Sequence, residues 1–182
     1  MKIISGIYKG RNIAGYNIDG TRPTMERVKE SLFATIQNYI PESVVLDLFS
    51  GSGNLAIEAL SQGAKEAYAV DNNPIACKHI KQNIEKIGVK NCQVFKGDYL
   101  DVIEILKKQK LKFDIIILDP PYNTNYIEKS IEKIELSNIL KTDGIIVCEN
   151  DSLDRIVYPN TYEVLKEKKY GDKWVVILKK IC

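Results

Sequence analysis

A chain of 182 residues with 45% hydrophobic and 27% charged side chains is long enough for one full core, short for two, and too apolar to stay disordered. Its formal charge of +2 excludes a strong polycation or polyanion, and no run approaches the ~20 apolar residues of a membrane helix. Met1-Lys2-Ile3-Ile4-Ser5-Gly6 turns polar too soon for a signal peptide, so a cytoplasmic protein is expected.

Residues 2–14 alternate loosely, with Ile3, Ile4, Ile7 and Ile13 around the Gly6 to Gly10 break, and predict a short hairpin. Thr21-Arg22-Pro23-Thr24 then opens a helix in which Val28, Leu32 and Ile36 form an apolar stripe, closed by Pro41. From residue 44 strands and helices alternate. Val44 to Leu48 predicts a strand, Asn54 to Gln62 a helix, and Glu66 to Val70 a second strand ending at Asp71. Asn73-Pro74 is a cap with proline at the first helical position, followed by Ile75, Ile80, Ile84 and Ile87 and closed by Gly88. Asn91 to Lys96 is the third strand, and Asp98 begins a helix carrying Val102, Ile105 and Leu106. Phe113 to Leu118 is the fourth strand, Ile127, Ile131 and Ile134 mark the next helix, and Gly144 to Cys148 the fifth strand. Tyr162 to Lys169 and Lys173 to Lys180 flank a Gly171-Asp172 turn and predict a terminal hairpin.

Continuously apolar strands separated by helices predict an α/β fold, a doubly wound and mostly parallel sheet covered on both faces. Residues 1–40 form the candidate extension and 41–182 the body. Residues 1–30 carry +3 and the remainder −1, which suggests a polyanion contact beside the main site. Cys77, Cys92, Cys148 and Cys182 are widely spaced, with no C-x-x-C pair; reduced thiols are expected, and no metal site. His79 is the sole histidine and sits among Lys78, Lys81 and Gln82, which argues against His-dependent hydrolases.

Leu46-Asp47-Leu48-Phe49-Ser50-Gly51-Ser52-Gly53-Asn54 is strand, glycine turn and helix start. In an open α/β sheet such a turn, beyond the carboxyl end of a strand, is a cofactor site. Glycine at 51 and 53 lets backbone approach a ligand closely. Asp71 lies twenty residues after Gly51, where a carboxylate can accept both ribose hydroxyls. Gly51-x-Gly53-x-x-Ala56 also satisfies the dinucleotide fingerprint, so the loop alone leaves NAD and S-adenosylmethionine open. Asp47 favours the second, since an acid there is badly placed for pyrophosphate and well placed for an ammonium and a sulfonium. Asp98 could accept from an adenine amino group, or serve only as a helix cap. Phe49, Ser52 and Asn54, with Asn72 beside Asp71 and Tyr99 beside Asp98, complete the candidate cofactor set.

Phe113 to Leu118 runs straight into Asp119-Pro120-Pro121-Tyr122. Two prolines remove two backbone donors and fix two φ angles, so the turn is rigid and its carbonyls can accept. An exocyclic amino group on guanine, adenine or cytosine is a poor nucleophile, because its lone pair is delocalised into the ring. Asp119 and the Pro120 carbonyl, accepting its two N–H groups, would draw the nitrogen toward tetrahedral geometry for direct in-line attack on a methyl. Tyr122 would stack on the base, a contact worth roughly 1 to 3 kcal/mol, and the base must leave its helix to reach it.

Together these residues resemble the class I S-adenosylmethionine-dependent amino-methyltransferases with a D/N-P-P-Y/F turn. More narrowly the chain resembles the bacterial 16S ribosomal RNA guanine-N2 methyltransferases, the RsmD-like family. The resemblance spans essentially the whole chain and is carried also by Ile3-Ile4-Ser5-Gly6 with Lys9-Gly10-Arg11, by Thr21-Arg22-Pro23-Thr24 with Arg27, Val28, Glu30 and Phe33, and by Lys169-Tyr170-Gly171-Asp172. It implies a seven-stranded, Rossmann-like sheet and methylation of a guanine N2 in 16S rRNA, on an assembled or assembling small subunit. It further implies that Arg22, Pro23, Thr24 and Arg27 border the active site and that Lys9 and Arg11 contact RNA. Family members often have Ala where this chain has Ser50. A DNA adenine-N6 methyltransferase uses the same turn but usually needs a further domain to read sequence; a non-enzymatic RNA-binding module is the other alternative.

Overall fold

The computed structural model describes residues 1–15, 22–152 and 156–182, and of residues 22–24 the backbone only. The strands are β1 (Val44–Asp47), β2 (Glu66–Asp71), β3 (Cys92–Lys96), β4 (Phe113–Leu118), β5 (Leu140–Asn150), β6 (Tyr162–Tyr170) and β7 (Lys173–Lys180). They form one sheet in the order β3-β2-β1-β4-β5-β7-β6, parallel from β3 to β5, with β7 and β6 added antiparallel. The helices are α1 (Arg22–Ile36), α2 (Asn54–Ser61), α3 (Pro74–Ile87), α4 (Tyr99–Lys108) and α5 (Tyr126–Ser137).

The strands read as unbroken apolar runs because both of their faces are buried. Val45, Ile115, Ile117 and Val147 pack with α1, α2 and α3, whereas Leu46, Ile116, Leu118 and Cys148 pack with α4 and α5. The predicted caps are present: Asn73 Oδ1 accepts the Ile75 N–H at 2.8 Å, and Gly88 ends α3 at φ 75°. Ile75 and Ile105, named above along α3 and α4, are exposed. Each is out of phase with its neighbours at the 3.6-residue period, since Val102, Ile103 and Leu106 already fill the buried face of α4.

The predicted N-terminal hairpin is present as a short antiparallel pairing: Lys2 bridges Asn12, Ile3 N–H donates to the Arg11 carbonyl at 3.0 Å and Ile13 N–H to the Met1 carbonyl at 2.7 Å. Toward its turn the donors leave the pairing: the N–H groups of Ile4 and Ser5 bind the Glu58 carboxylate, and Ile7 donates to the Ser61 carbonyl. Gly6 is required for this approach, because a Cβ on it would lie 1.7 Å from the Ser61 carbonyl oxygen. Ile3 and Ile13 enter the same core as α1 and α2. The fifth strand is longer than predicted, since Glu149 and Asn150 continue to pair with Val175 and Trp174.

The order of the strands reverses at β1, which has β2 on one side and β4 on the other, all three parallel. Crevices beyond the carboxyl ends of strands at such a switch point are where ligands bind in this architecture. Asp47 and Asp119 are both there, one at the end of β1 and the other just past β4.

Candidate active site

The glycine turn after β1 is tied to the end of β2. Ser50 donates its N–H to the Val70 carbonyl at 2.9 Å, and Gly51 donates to Asp71 Oδ2 at 2.9 Å. Asp71 Oδ1 accepts from Asn73 N–H at 2.9 Å. A carboxylate offers about four lone-pair sites, so Asp71 keeps capacity for two hydroxyls. Gly51 holds φ +57° with open space where a Cβ would stand. At Gly53, φ +80°, a Cβ would instead come within 3.1 Å of Ile80; there glycine serves the packing of α2 on α3, not the cavity.

Asp47 is buried, and its Oδ2 accepts the Ser50 hydroxyl at 2.8 Å. Its Oδ1 is a buried atom with no hydrogen-bond partner among the described residues. Burial and the nearby Asp71 push the Asp47 carboxyl up to about 7, against the opposing hydrogen bonds from Ser50 and Phe49. An unpartnered buried carboxylate oxygen is costly and calls for a cation or donor from a ligand.

Two cavities flank this edge of the sheet. One, of about 310 Å³, is bounded by Asp47, the Ser50 to Ser52 turn and Asn54 on one side and by Met25, Val28 and Leu32 of α1 on the other. The second, of about 330 Å³, is bounded by Asp71, Asn72, Asp98, Tyr99, Pro120 and Pro121. Phe49 and Asp119 line both. In the second cavity Phe49, Tyr99 and Tyr126 form an aromatic wall, with Phe49 and Tyr126 stacked at 6.0 Å and Tyr99 at 5.1 Å from each. Asp98 is the N-cap of α4, accepting from Leu100 N–H at 2.9 Å, and still lines the cavity.

The carboxyl of Asp119 is held well above the usual carboxylate range, chiefly by burial, then by Glu149 and Asp47, with Lys173 opposing. The Thr124 hydroxyl donates to the Pro121 carbonyl at 2.8 Å and braces the turn. Tyr122 is 40% exposed, with the Lys173 ammonium 5.4 Å from its ring centre.

Sequence reasoning missed Tyr126, Glu149, Lys173 and the α1 residues Met25 and Lys29, all of which line these cavities. Glu149 carried a signal: like Asp47, Asp71 and Asp119, it is an acid ending an apolar strand run. Among the described residues, the RNA candidates Lys9, Arg11 and Arg27 do not line the cavities. Lys9 and Arg27 are exposed. The Arg11 guanidinium donates to the Ile87 carbonyl at the end of α3 and lies 5.3 Å over the Tyr8 ring. The side chains of Arg22, Pro23 and Thr24 lie outside the described residues.

Comparison with known proteins agrees with this architecture. YlbH of Bacillus subtilis is 36% identical over 184 residues, 99% of each chain. The ribosomal RNA small subunit methyltransferase D of Haemophilus influenzae is 34% identical over 173 residues, 94% of this chain and 89% of that one. The solved structure of yhhF from Escherichia coli superposes with a TM-score of 0.87 at 26% identity, covering 100% of this chain and 98% of the other. The family described as Conserved hypothetical protein 95 matches residues 1–179, and the chain belongs to it.

Proposed function

We propose that this protein methylates the exocyclic N2 of a guanine in small-subunit ribosomal RNA, in the cytoplasm, on the assembled or assembling particle. The protein is an S-adenosylmethionine-dependent methyltransferase of its family, and relatives that carry the ribosomal name at 34% identity span nearly the whole chain. One observation carries the reading: Asp119 lines both cavities, so a group it holds in the first cavity faces whatever occupies the second.

S-adenosylmethionine, when bound, supplies an electrophilic methyl group on a sulfonium. Asp47 would hold its ammonium through the unpartnered Oδ1, Asp71 its ribose hydroxyls, and the Phe49, Tyr99 and Tyr126 rings its adenine, with Asp98 at the edge. Gly51 leaves the open space that this approach needs. Asp119 and the Pro120 carbonyl accept the two N–H groups of the target nitrogen, and Tyr122 stacks on its ring. Held in this way, the nitrogen lone pair would be directed at that methyl, and transfer would leave the S–C electron pair on sulfur. Asp119, whose carboxyl has a raised proton affinity, takes the proton that the nitrogen must shed.

Residues 1–40 would add phosphate contacts through Lys9, Arg11, Arg22, Thr24 and Arg27, which position without specifying. The test is incubation with radiolabelled S-adenosylmethionine and unmethylated small ribosomal subunits or duplex DNA, followed by nucleoside mass spectrometry. Label in N2-methylguanosine from rRNA is expected; label in N6-methyladenine from DNA would overturn the assignment.

A further inference from the structure

We infer that Glu149 reads the ring N1–H that flanks the amino group of guanine, and thereby makes the site select guanine over adenine and cytosine. This rests on the base-methylation reading above and gives that reading its discriminating residue.

The chemistry of the bases sets the requirement. Guanine N2 has a ring donor, N1–H, on one side. The amino group of adenine is flanked by the lone pairs of N1 and N7, and that of cytosine by the lone pair of N3 and a C–H. An ionised carboxylate set beside the residue that holds the amino group therefore accepts from guanine and faces a lone pair in the other two.

The fold supplies such a carboxylate. Leu118 of β4 and Cys148 of β5 are register partners, so Asp119 and Glu149, each one residue further, emerge as neighbours at the same edge of the sheet. Both line the cavity next to α1. Lys173, brought across by the antiparallel pairing of β5 with β7, forms an ion pair with Glu149, and the two side chains are only 25% and 13% exposed. The pair has no evident task in joining the strands, which are already in register from Ile145 to Asn150. The ion pair ties the Glu149 carboxylate to Lys173 at the cavity wall, beside Asp119. Lys173 is thus a positioning residue, and Glu149 is the contact to the base.

The test compares guanine with 2-aminopurine, which keeps the amino group but has a lone pair at N1 and no O6. The nucleotide methylated by the wild-type protein is located by mass spectrometry, replaced by 2-aminopurine through splinted ligation of 16S rRNA, and reconstituted into small subunits. Wild-type kcat/KM is expected to fall by about 100-fold or more on the analogue. Glu149→Gln, whose amide can donate to N1, should narrow that ratio to about 10-fold or less, and Lys173→Met should narrow it without matching Glu149→Gln. A wild-type protein that methylates both substrates equally would overturn the role of Glu149, a result that needs no variant to fold. So would a ratio unchanged in Glu149→Gln. Absence of N2-methylguanosine from the unmodified substrate would instead defeat the function on which the inference rests.

Discussion

Gly51 points its backbone N–H into the Asp71 carboxylate across 2.9 Å, so the acid at the end of β2 shapes the loop after β1 as well as offering itself to a ligand. Asp71→Ala should therefore weaken S-adenosylmethionine more than loss of one ligand contact would. Hydrogen bonds to charged groups contribute roughly 1.5 to 3 kcal/mol, which corresponds to about 10- to 150-fold in affinity for one such bond. Calorimetric titration should show at least that loss, and Asp71→Asn a smaller one. An affinity equal to wild type would remove Asp71 from the cofactor site.

Asp47 makes the protein sensitive to pH near neutrality. Its carboxyl is pushed from 3.8 up to about 7 in the folded chain. An acid raised in this way stabilises the fold at low pH and gives that contribution up as pH rises through the folded value. Without cofactor, stability should fall between about pH 4 and about pH 7, by on the order of 4 kcal/mol at most from this residue. Asp119 adds a change of the same sign, so the measurement is the difference between wild type and Asp47→Asn in melting curves across that range. Cofactor binding should run oppositely: an ammonium favours the ionised carboxylate, so affinity rises with pH up to about 7 and protons are released on binding. A pH dependence unchanged in Asp47→Asn would exclude Asp47 as the source.

Asp119→Ala should abolish turnover while leaving cofactor affinity within a few-fold of wild type, because the remaining walls of the second cavity are untouched. Asp119→Asn keeps one acceptor oxygen and loses the proton acceptor, so a fall in kcat of about 100-fold or more is expected, in the range ascribed to general-base catalysis. Equal turnover of Asp119→Ala and wild type on small subunits would remove Asp119 from the reacting site.

These two acids also show what was legible from sequence. Asp47 and Asp119 could be placed at one edge because unbroken apolar runs such as Val45-Leu46 and Ile115 to Leu118 require burial on both faces, which fixes a parallel sheet and its functional end. Asn73-Pro74 and Gly88 bounded α3 because caps are local chemistry. The short N-terminal hairpin was legible but its docking was not, since the donors of Ile4 and Ser5 are taken by Glu58, some fifty residues away. Nor was the meeting of Lys173 with Glu149, which depends on the register of an antiparallel return. Alternation alone gave no measure of either.

Lys29 and Glu58 form a buried ion pair at 2.9 Å, with 2% and 0% of the side chains exposed. Lys29 also donates to the Lys2 carbonyl and to Asn54 Oδ1, at 2.7 and 2.8 Å. Removing one partner leaves an uncompensated charge, a loss of about 3 to 5 kcal/mol for pairs of this kind. Lys29→Met and Glu58→Gln should each fall in that range in urea denaturation, with faster hydrogen exchange at Ile4 and Ser5. The double variant Lys29→Met/Glu58→Leu should recover part of the loss. Single variants as stable as wild type would show that the pair does not anchor the N-terminal segment.

Arg11 poses a choice between tether and RNA contact, because its guanidinium already binds the Ile87 carbonyl and covers Tyr8. Lys9, exposed nearby, serves as the comparison. A residue that binds phosphate lowers the slope of log affinity against log salt by about 0.7 to 0.9 when removed, whereas a tether lowers the melting temperature and leaves the slope alone. Lys9→Ala should change the slope without changing the melting temperature. Arg11→Ala should lower the melting temperature and also reduce the slope, since a side chain holding one carbonyl retains further N–H donors for phosphate. Filter binding of small ribosomal subunits across a salt series, beside melting curves, separates the effects. If Arg11→Ala shifts the melting temperature alone, its role is to hold residues 1–15 on α3, and the phosphate contacts must come from other basic residues of the N-terminal segment.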